Sequence, residues 1–192
     1  MARPKTCKNP SCKAKFTPSR PMQTVCCWQC AQAVAERKRE LIEQKQKRIE
    51  RQATREKKEK LKSRTQWLSE CKAIAQKIAR LRDFHDCCIS CDKPSTWHGQ
   101  WHGSHFRPAG NFKAVALNLF NIHKACSQCN SFKSGNLTPY EDKLRLKIGD
   151  EKVDWLKSQT APHTHRIEYL MKYKRVMGKK ARLMEKRLGR KL

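Results

Sequence analysis

The sequence predicts a small α+β protein stabilised by zinc, in which long basic helices flank a compact central core and a zinc-ribbon-like module stands at the N-terminal side. Three observations carry that prediction. Eleven cysteines fall largely into two groups of four, each built from two close pairs. No glycine or proline interrupts the chain from Met22 to Lys93, so a long stretch is free to be helical. Finally, 44 Lys and Arg against 17 Asp and Glu give 192 residues a formal charge of +27, with only 38% hydrophobic residues. That composition excludes one large core. No apolar run approaches the roughly 20 residues of a membrane span, and the first residues lack the apolar stretch of a secretion signal. The expectation is a soluble intracellular protein whose partner is a polyanion, because neutralising phosphates releases condensed counterions and yields affinity without base readout.

The cysteine groups come first. In an intracellular chain such spacing points to metal rather than disulfides. Cys7, Cys12, Cys26 and Cys30 form one quartet; Cys88, Cys91, Cys126 and Cys129 form the other. Four thiolates close a tetrahedral Zn2+ sphere and leave no place for water, so both sites are structural, about two zinc ions per chain. Cys27 is an alternative to Cys26, and Cys87 to Cys88.

Four segments follow from charge and punctuation. Residues 1–30 are the N-terminal cysteine module, with turns at Pro4, Pro10, Pro18 and Pro21. Residues 31–65 are a basic helix or linker, too polar to bury a face; between 36 and 64 lie 13 Lys and Arg and 6 Glu. Residues 66–140 hold the core, opened by a helix whose Trp67, Leu68, Cys71, Ile74, Ala75, Ile78 and Leu81 recur at three and four residues. Residues 141–192 are C-terminal helices with a basic tail: a short helix around Asp150 to Ser158, a break at Pro162, where His163 and His165 read as a polar linker or cap, and a final basic helix. From Asp83 to Tyr140 there are only 5 Lys and Arg and 3 Asp, so +25 of the +27 lies in the flanks.

Between Cys91 and Cys126 the chain is rich in His and Asn. Trp101 to Arg107 reads as a strand interrupted by Gly103, with Trp97 and Trp101 as core of a small hairpin. The run Cys126-x2-Cys129-Asn130 reads as a knuckle opening a short helix that Gly135 ends. A histidine on a strand facing the first turn of a helix braced by four cysteines is the layout of a ββα-metal (HNH, His-Me finger) nuclease.

The residues Cys88-x2-Cys91, Gly103-Ser104-His105-Phe106-Arg107, Asn121-Ile122-His123-Lys124-x-Cys126-x2-Cys129-Asn130 and Lys133-Ser134-Gly135-Asn136-Leu137-x-Pro139-Tyr140 resemble the NinG (Rap) recombination endonuclease family of lambdoid phages. The N-terminal quartet, the charged helix and Ile148-Gly149 with Val153-Asp154 fit as well, so the resemblance covers most of the chain. It implies a structure-selective DNA endonuclease on branched recombination intermediates, Holliday junctions and D-loops. The expectation is action on DNA in the host cytoplasm, with recombination proteins as further partners, no membrane, and a homodimer as a way to place paired nicks.

Roles follow by matching positions. His105 matches the strand histidine that takes the proton of the attacking water. Asn130 matches the helix ligand of the catalytic ion, Mg2+ or Mn2+. Asn121 matches the middle Asn, which completes the catalytic set by orienting the loop. A departure stands at Ser104, where many such enzymes carry an acidic ligand; His102 is the candidate second ligand, while His98 and His123 divide between site and scaffold. Arg107, Lys124 and Lys133 are expected on the phosphate, and Lys172, Lys174, Arg175, Lys179 and Lys180 on DNA from the last helix. The alternative class is a non-catalytic zinc-containing protein that binds DNA or RNA as an accessory factor. A zinc-finger regulator is disfavoured, since neither quartet is followed by a recognition helix at finger spacing.

Overall fold

Residues 3–132 and 135–189 are described by the computed structural model, and the chain divides into two units, Met1–Leu61 and Lys62–Leu192. In the first, β1 (Lys5–Thr6) pairs antiparallel with β2 (Lys15–Phe16), Lys5 opposite Phe16 and Thr6 opposite Lys15. The connecting turn is closed by the Cys7 amide donating to the Ala14 carbonyl at 2.8 Å and by the Asn9 carbonyl accepting from Cys12 and Lys13 at 3.0 and 3.1 Å. Helix α1 (Trp28–Lys60) follows after residues 17–27. It therefore begins inside the segment read as the zinc module, and Cys30 lies on its first turn; module and helix are continuous rather than separate. At 1.5 Å per residue its 33 residues span about 50 Å. Leu41, Ile42 and Ile49 stay exposed along it, and helix-forming residues with pairs such as Glu43–Lys47 and Gln52–Glu56 maintain it, each adding a few tenths of a kcal/mol.

The second unit opens with α2 (Arg64–Arg82). Its start is a capping box: the Ser63 hydroxyl accepts from the Gln66 amide at 3.3 Å, and the Gln66 side chain accepts from the Ser63 amide at 2.8 Å. Trp67, Cys71, Ala75, Ile78, Ala79 and Leu81 are buried, the face the spacing predicts. Burying each large apolar side chain is worth about 1.5–3 kcal/mol. Against this face packs α5 (Ile167–Leu188), contributing Leu170, Tyr173 and Ala181. The Cys71 thiol donates to the Leu170 carbonyl at 3.2 Å, Glu70 pairs with Lys174 at 2.9 Å and Lys77 with Glu185 at 2.8 Å, so the two helices run parallel.

The central hairpin pairs β3 (Trp101–His105) antiparallel with β4 (Ile122–Cys126) in the register Trp101–Cys126, His102–Ala125, Gly103–Lys124, Ser104–His123 and His105–Ile122. The strand is not interrupted at Gly103. That glycine is needed because a Cβ there would stand 2.6 Å from Gln76 Cα on α2. Ile122 joins the α2–α5 core. Ala125 belongs to a second core with Cys88, Phe106, Val115, Tyr140 and Leu144 of α3 (Leu137–Ile148), and Val153 and Leu156 of α4 (Asp150–Ser158). The helices of the C-terminal segment, residues 141–192, thus belong to the same unit as the hairpin. The short helix after the knuckle is a π-helical turn, Gln128–Phe132, and Gly135 closes it at φ +92° with its amide donating to the Cys129 carbonyl at 2.9 Å. Among the described residues no helix is long and apolar enough to cross a membrane.

Candidate functional site

Two cysteine tetrads assemble, Cys7–Cys12–Cys26–Cys30 and Cys88–Cys91–Cys126–Cys129, the sulfurs of each lying within 4.8 Å of one another. Neighbouring sulfurs stand 3.6 Å apart for Cys12 and Cys26, 3.7 Å for Cys26 and Cys30, and 3.8 Å for Cys91 and Cys126. Zn–S bonds of about 2.3 Å set a tetrahedron with edges of about 3.8 Å, so both sites could hold zinc as they stand. Cys27 and Cys87 are exposed and belong to neither tetrad. Donors aim at the sulfurs: the Asn9 amide at Cys30 (3.3 Å), the Cys126 amide at Cys88 (3.2 Å) and the Cys129 amide at Cys126 (3.5 Å). Such bonds stabilise thiolate charge and orient the ligands.

The second tetrad anchors the end of the hairpin at which His102 and Asn130 meet. Asn130, on the π-helical turn, stands with its amide 2.9 Å from His102 Nδ1. His105 closes the same strand three residues on. Alternation puts His102 and Ser104 on one face, Trp101, Gly103 and His105 on the other, and the Cα atoms of His102 and His105 lie about 10 Å apart. The structure thus joins His102 to Asn130, while the His105 ring is bound elsewhere: its Nε2 is 3.0 Å from the Ala116 carbonyl oxygen. That oxygen only accepts, so Nε2 carries the proton and Nδ1 keeps its lone pair. Burial lowers the His105 pKa, against the Ala116 bond that raises it, and holds the ring neutral at pH 7.

Asn121 is fully buried, and its amide is consumed by the loop: Oδ1 accepts from the Arg107 amide at 2.7 Å, while Nδ2 donates to the Arg107 and Val115 carbonyls at 3.0 and 3.1 Å. It cannot touch a substrate; expected in the catalytic set, it is a positioning residue that ties the long β3–β4 connection to the start of β4. His123 is buried scaffold, its Nδ1 3.4 Å from the Tyr140 hydroxyl, which itself donates to the Ser104 carbonyl at 2.9 Å. Burial drives the His123 pKa down to about 3, so it is neutral. His98 is exposed before β3.

Two expected phosphate contacts are corrected. Lys124 is 3% exposed, with its ammonium donating to the Phe84 carbonyl at 2.8 Å and lying 4.3 Å from the Trp101 ring centre. Lys174 faces Glu70 and the Trp67 ring. Both hold the core instead of facing DNA, because their helix or strand faces point inward. Arg107 stacks over Phe112, 3.5 Å from the ring centre. Lys133 lies outside the described residues. Lys172, Arg175, Lys179 and Lys180 are exposed on α5, and the spacing of Lys172, Arg175, Lys179, Arg182 and Lys186 makes one cationic stripe.

Sequence reasoning missed the anchor of this assembly. Asp83, buried at the end of α2, accepts from Arg82 at 2.8 Å, from Lys147 of α3 at 2.8 Å and from the Lys124 amide of β4 at 3.1 Å. Desolvation alone would raise its pKa, but Arg82 and Lys147 outweigh it and hold it at about 2. The only available signal was an acid in a nearly neutral segment.

A family model described as the bacteriophage lambda NinG protein matches residues 1–187. The chain is similar to the protein ninG of Escherichia phage lambda, 33% identical over 181 residues and 88% of each chain. It is similar to the protein ninG of Salmonella phage P22, 31% identical over 168 residues and 82% of each chain, and to that of Escherichia phage 933W, 35% identical over 108 residues, 56% of this chain and 53% of the relative. No solved structure matches the chain.

Proposed function

The chain belongs to the NinG family, and from that premise we propose that it is a metal-dependent endonuclease of the HNH type that cuts branched DNA, Holliday junctions and D-loops, during phage recombination in the host cytoplasm. The observation that carries the reading is the state of His105. A ring whose Nε2 proton is committed to the Ala116 carbonyl, and whose burial keeps it neutral, offers Nδ1 as a base for the proton of an attacking water. His102 and Asn130 are the residues present for a divalent cation. With the Asn130 amide turned so that Oδ1 faces the ring, they offer one amide oxygen and one imidazole nitrogen, a set that takes Mn2+ more readily than Mg2+, either ion filling the rest of its shell from water and phosphate. A cation held there would supply positive charge for the scissile phosphate and the departing oxygen. Asn121 acts upstream, keeping the loop that carries Ala116 in register with β4. The exposed α5 stripe, Lys172, Arg175, Lys179 and Lys180, together with α1, grips duplex arms through phosphates, and this fits a partner recognised by shape rather than by bases. A homodimer would bring two such sites to one junction.

A second reading, a zinc-containing nucleic-acid accessory protein without catalysis, is favoured by one observation. Apart from the two tetrads, no group of three His, Cys, Asp or Glu side chains gathers as metal ligands among the described residues. One assay separates the two. With Mg2+ or Mn2+, the protein should cut a synthetic four-way junction, and His105→Ala should lose about 100-fold or more in rate while still binding it. An intact junction with the unmodified protein, or equal cutting by the variant, overturns the nuclease in favour of the accessory protein.

A further inference from the structure

The His163–His165 segment, which the cleavage chemistry does not use, lines two adjoining cavities in the second unit. One, about 180 Å3, is lined by Arg64, Thr65, Lys113 and the two histidines; the other, a more open cleft of about 440 Å3, by the same histidines with Arg166 and Tyr169. The larger falls in the range of small-molecule sites, roughly 300–1,000 Å3. Among the described residues no carboxylate lines either cavity. The walls thus gather positive charge, unlike the surface of α3 and α4, where Asp92 matches Lys143, Glu141, Asp150 and Asp154 match Arg145, and Glu141 matches Lys157.

The histidines are held in place. His165 is buried, its Nε2 donates to the Lys113 carbonyl at 2.9 Å, and its Nδ1 lies 3.2 Å from His163 Nε2. Its ring is stacked on Tyr169, 5.3 Å between centres and 12° between planes, and Tyr169 remains 48% exposed. A stacked, half-exposed aromatic platform thus stands beside the side chains that line the cavities, Arg64, Lys113 and Arg166. The parallel packing of α2 and α5 adds to the field, because both helices begin at this end and their positive poles reinforce each other, an arrangement that an anion relieves.

We propose that these two adjoining cavities together bind one deoxynucleotide unit of an unpaired DNA strand, with its phosphate held by Arg64 and Lys113 of the smaller and Arg166 of the larger, and its base against Tyr169 in the larger. Stacking supplies an affinity that tolerates any base, and the cations supply the salt-dependent part. A D-loop presents an unpaired strand that a duplex does not, so these cavities would help discriminate it from linear duplex. The inference stands on cavity, charge and ring geometry and needs no cleavage.

The test titrates the full chain with thymidine 5′-monophosphate, thymidine or inorganic phosphate and follows the imidazole proton resonances of His163 and His165. The expected result is that the nucleotide shifts both and binds about tenfold or more tighter than either fragment. Arg64→Ala and Tyr169→Leu should each weaken it about tenfold, with zinc content unchanged as a check on folding. Lys143→Ala, which removes one charge from α3 outside both cavities, should stay within about twofold. Absence of a shift, equal affinity for nucleotide and phosphate, or equal weakening by Lys143→Ala and Arg64→Ala overturns the proposal. Because the readout is binding, its failure leaves the nuclease reading standing, and loss of cleavage leaves this site standing.

Discussion

The two cysteine tetrads share a chemistry and differ in what surrounds them. From Arg3 to Leu61 the buried residues are Cys7 and Cys30, ligands themselves, so the first tetrad sits in a module with almost no hydrophobic core and opens a solvated helix. The second lies in a cluster with Ile89, Phe106, Val115, Ala125, Tyr140 and Leu144. A metal ion held by each tetrad would thus be the source of order in one region and a reinforcement of packed order in the other. Where side chains can bury one another, a metal site can fix the geometry of neighbouring polar groups such as Asn130; where they cannot, binding free energy is folding free energy.

The largest effect that could break this contrast is zinc removal. Chelation, or Cys30→Ser, should unfold residues 3–27 outright, since structural zinc in such peptides contributes about 10–16 kcal/mol, while amide spectra of α2 and the hairpin persist to higher chelator concentration. Zinc analysis should give two ions per chain, one per tetrad. Simultaneous loss of both regions would show that the second tetrad is no less dependent on metal than the first.

Next in size is acid. Asp83 has a folded pKa of about 2, below the unfolded value of about 3.9, so its contribution is present above pH 4 and is lost as pH falls through 2. His123, neutral in the fold with a pKa of about 3 against about 6.5 unfolded, erodes stability progressively as pH falls from 6.5 towards 3. The second unit should therefore lose melting temperature steadily below pH 6.5, and Asp83→Asn should cost about 3 kcal/mol at pH 7 and flatten the lower part of that profile. A melting temperature independent of pH from 7 to 3 would contradict this account of the core.

A smaller effect tests how the hairpin loop is held. Asn121→Ala leaves the Arg107 and Val115 backbone groups without their partner and should cost about 2 kcal/mol. Cleavage should fall mainly in kcat, because the altered loop carries the Ala116 carbonyl that fixes the His105 tautomer; unchanged kcat with a lowered melting temperature would make Asn121 purely structural. The smallest effect separates grip from chemistry. Replacing Lys57, Lys58 and Lys60 of α1 with Ala should weaken junction binding and reduce the slope of log affinity against log salt by up to about 0.9 for each phosphate no longer neutralised, with the rate at saturation unchanged.

Several features were legible in the chain because they depend on spacing within one element. The eight ligand cysteines, the buried face of α2, the extent of Asp150–Ser158 and the C-terminal role of Gly135 all follow from local pattern. The Ser63-x-x-Gln66 cap is equally local, although the helix it starts was recognised only by its apolar spacing. Other features depend on what stands opposite, and periodicity says nothing about that. Lys124 and Lys174 look like any lysine of a chain carrying +27, yet one lies under Trp101 and the other against Glu70. Gly103 reads as a strand break until Gln76 is seen against it.

By itself the sequence determined the two cysteine tetrads, the division between charged flanks and a nearly neutral core, and the type of most elements, because each is a property of residues near one another along the chain. Only the tertiary structure decided that His102 meets Asn130 across 28 positions, that His105 gives its Nε2 proton to Ala116, and that α2 and α5 run parallel with their starts at one cleft. Those are contacts between elements, set by which faces bury each other, and no local pattern encodes them.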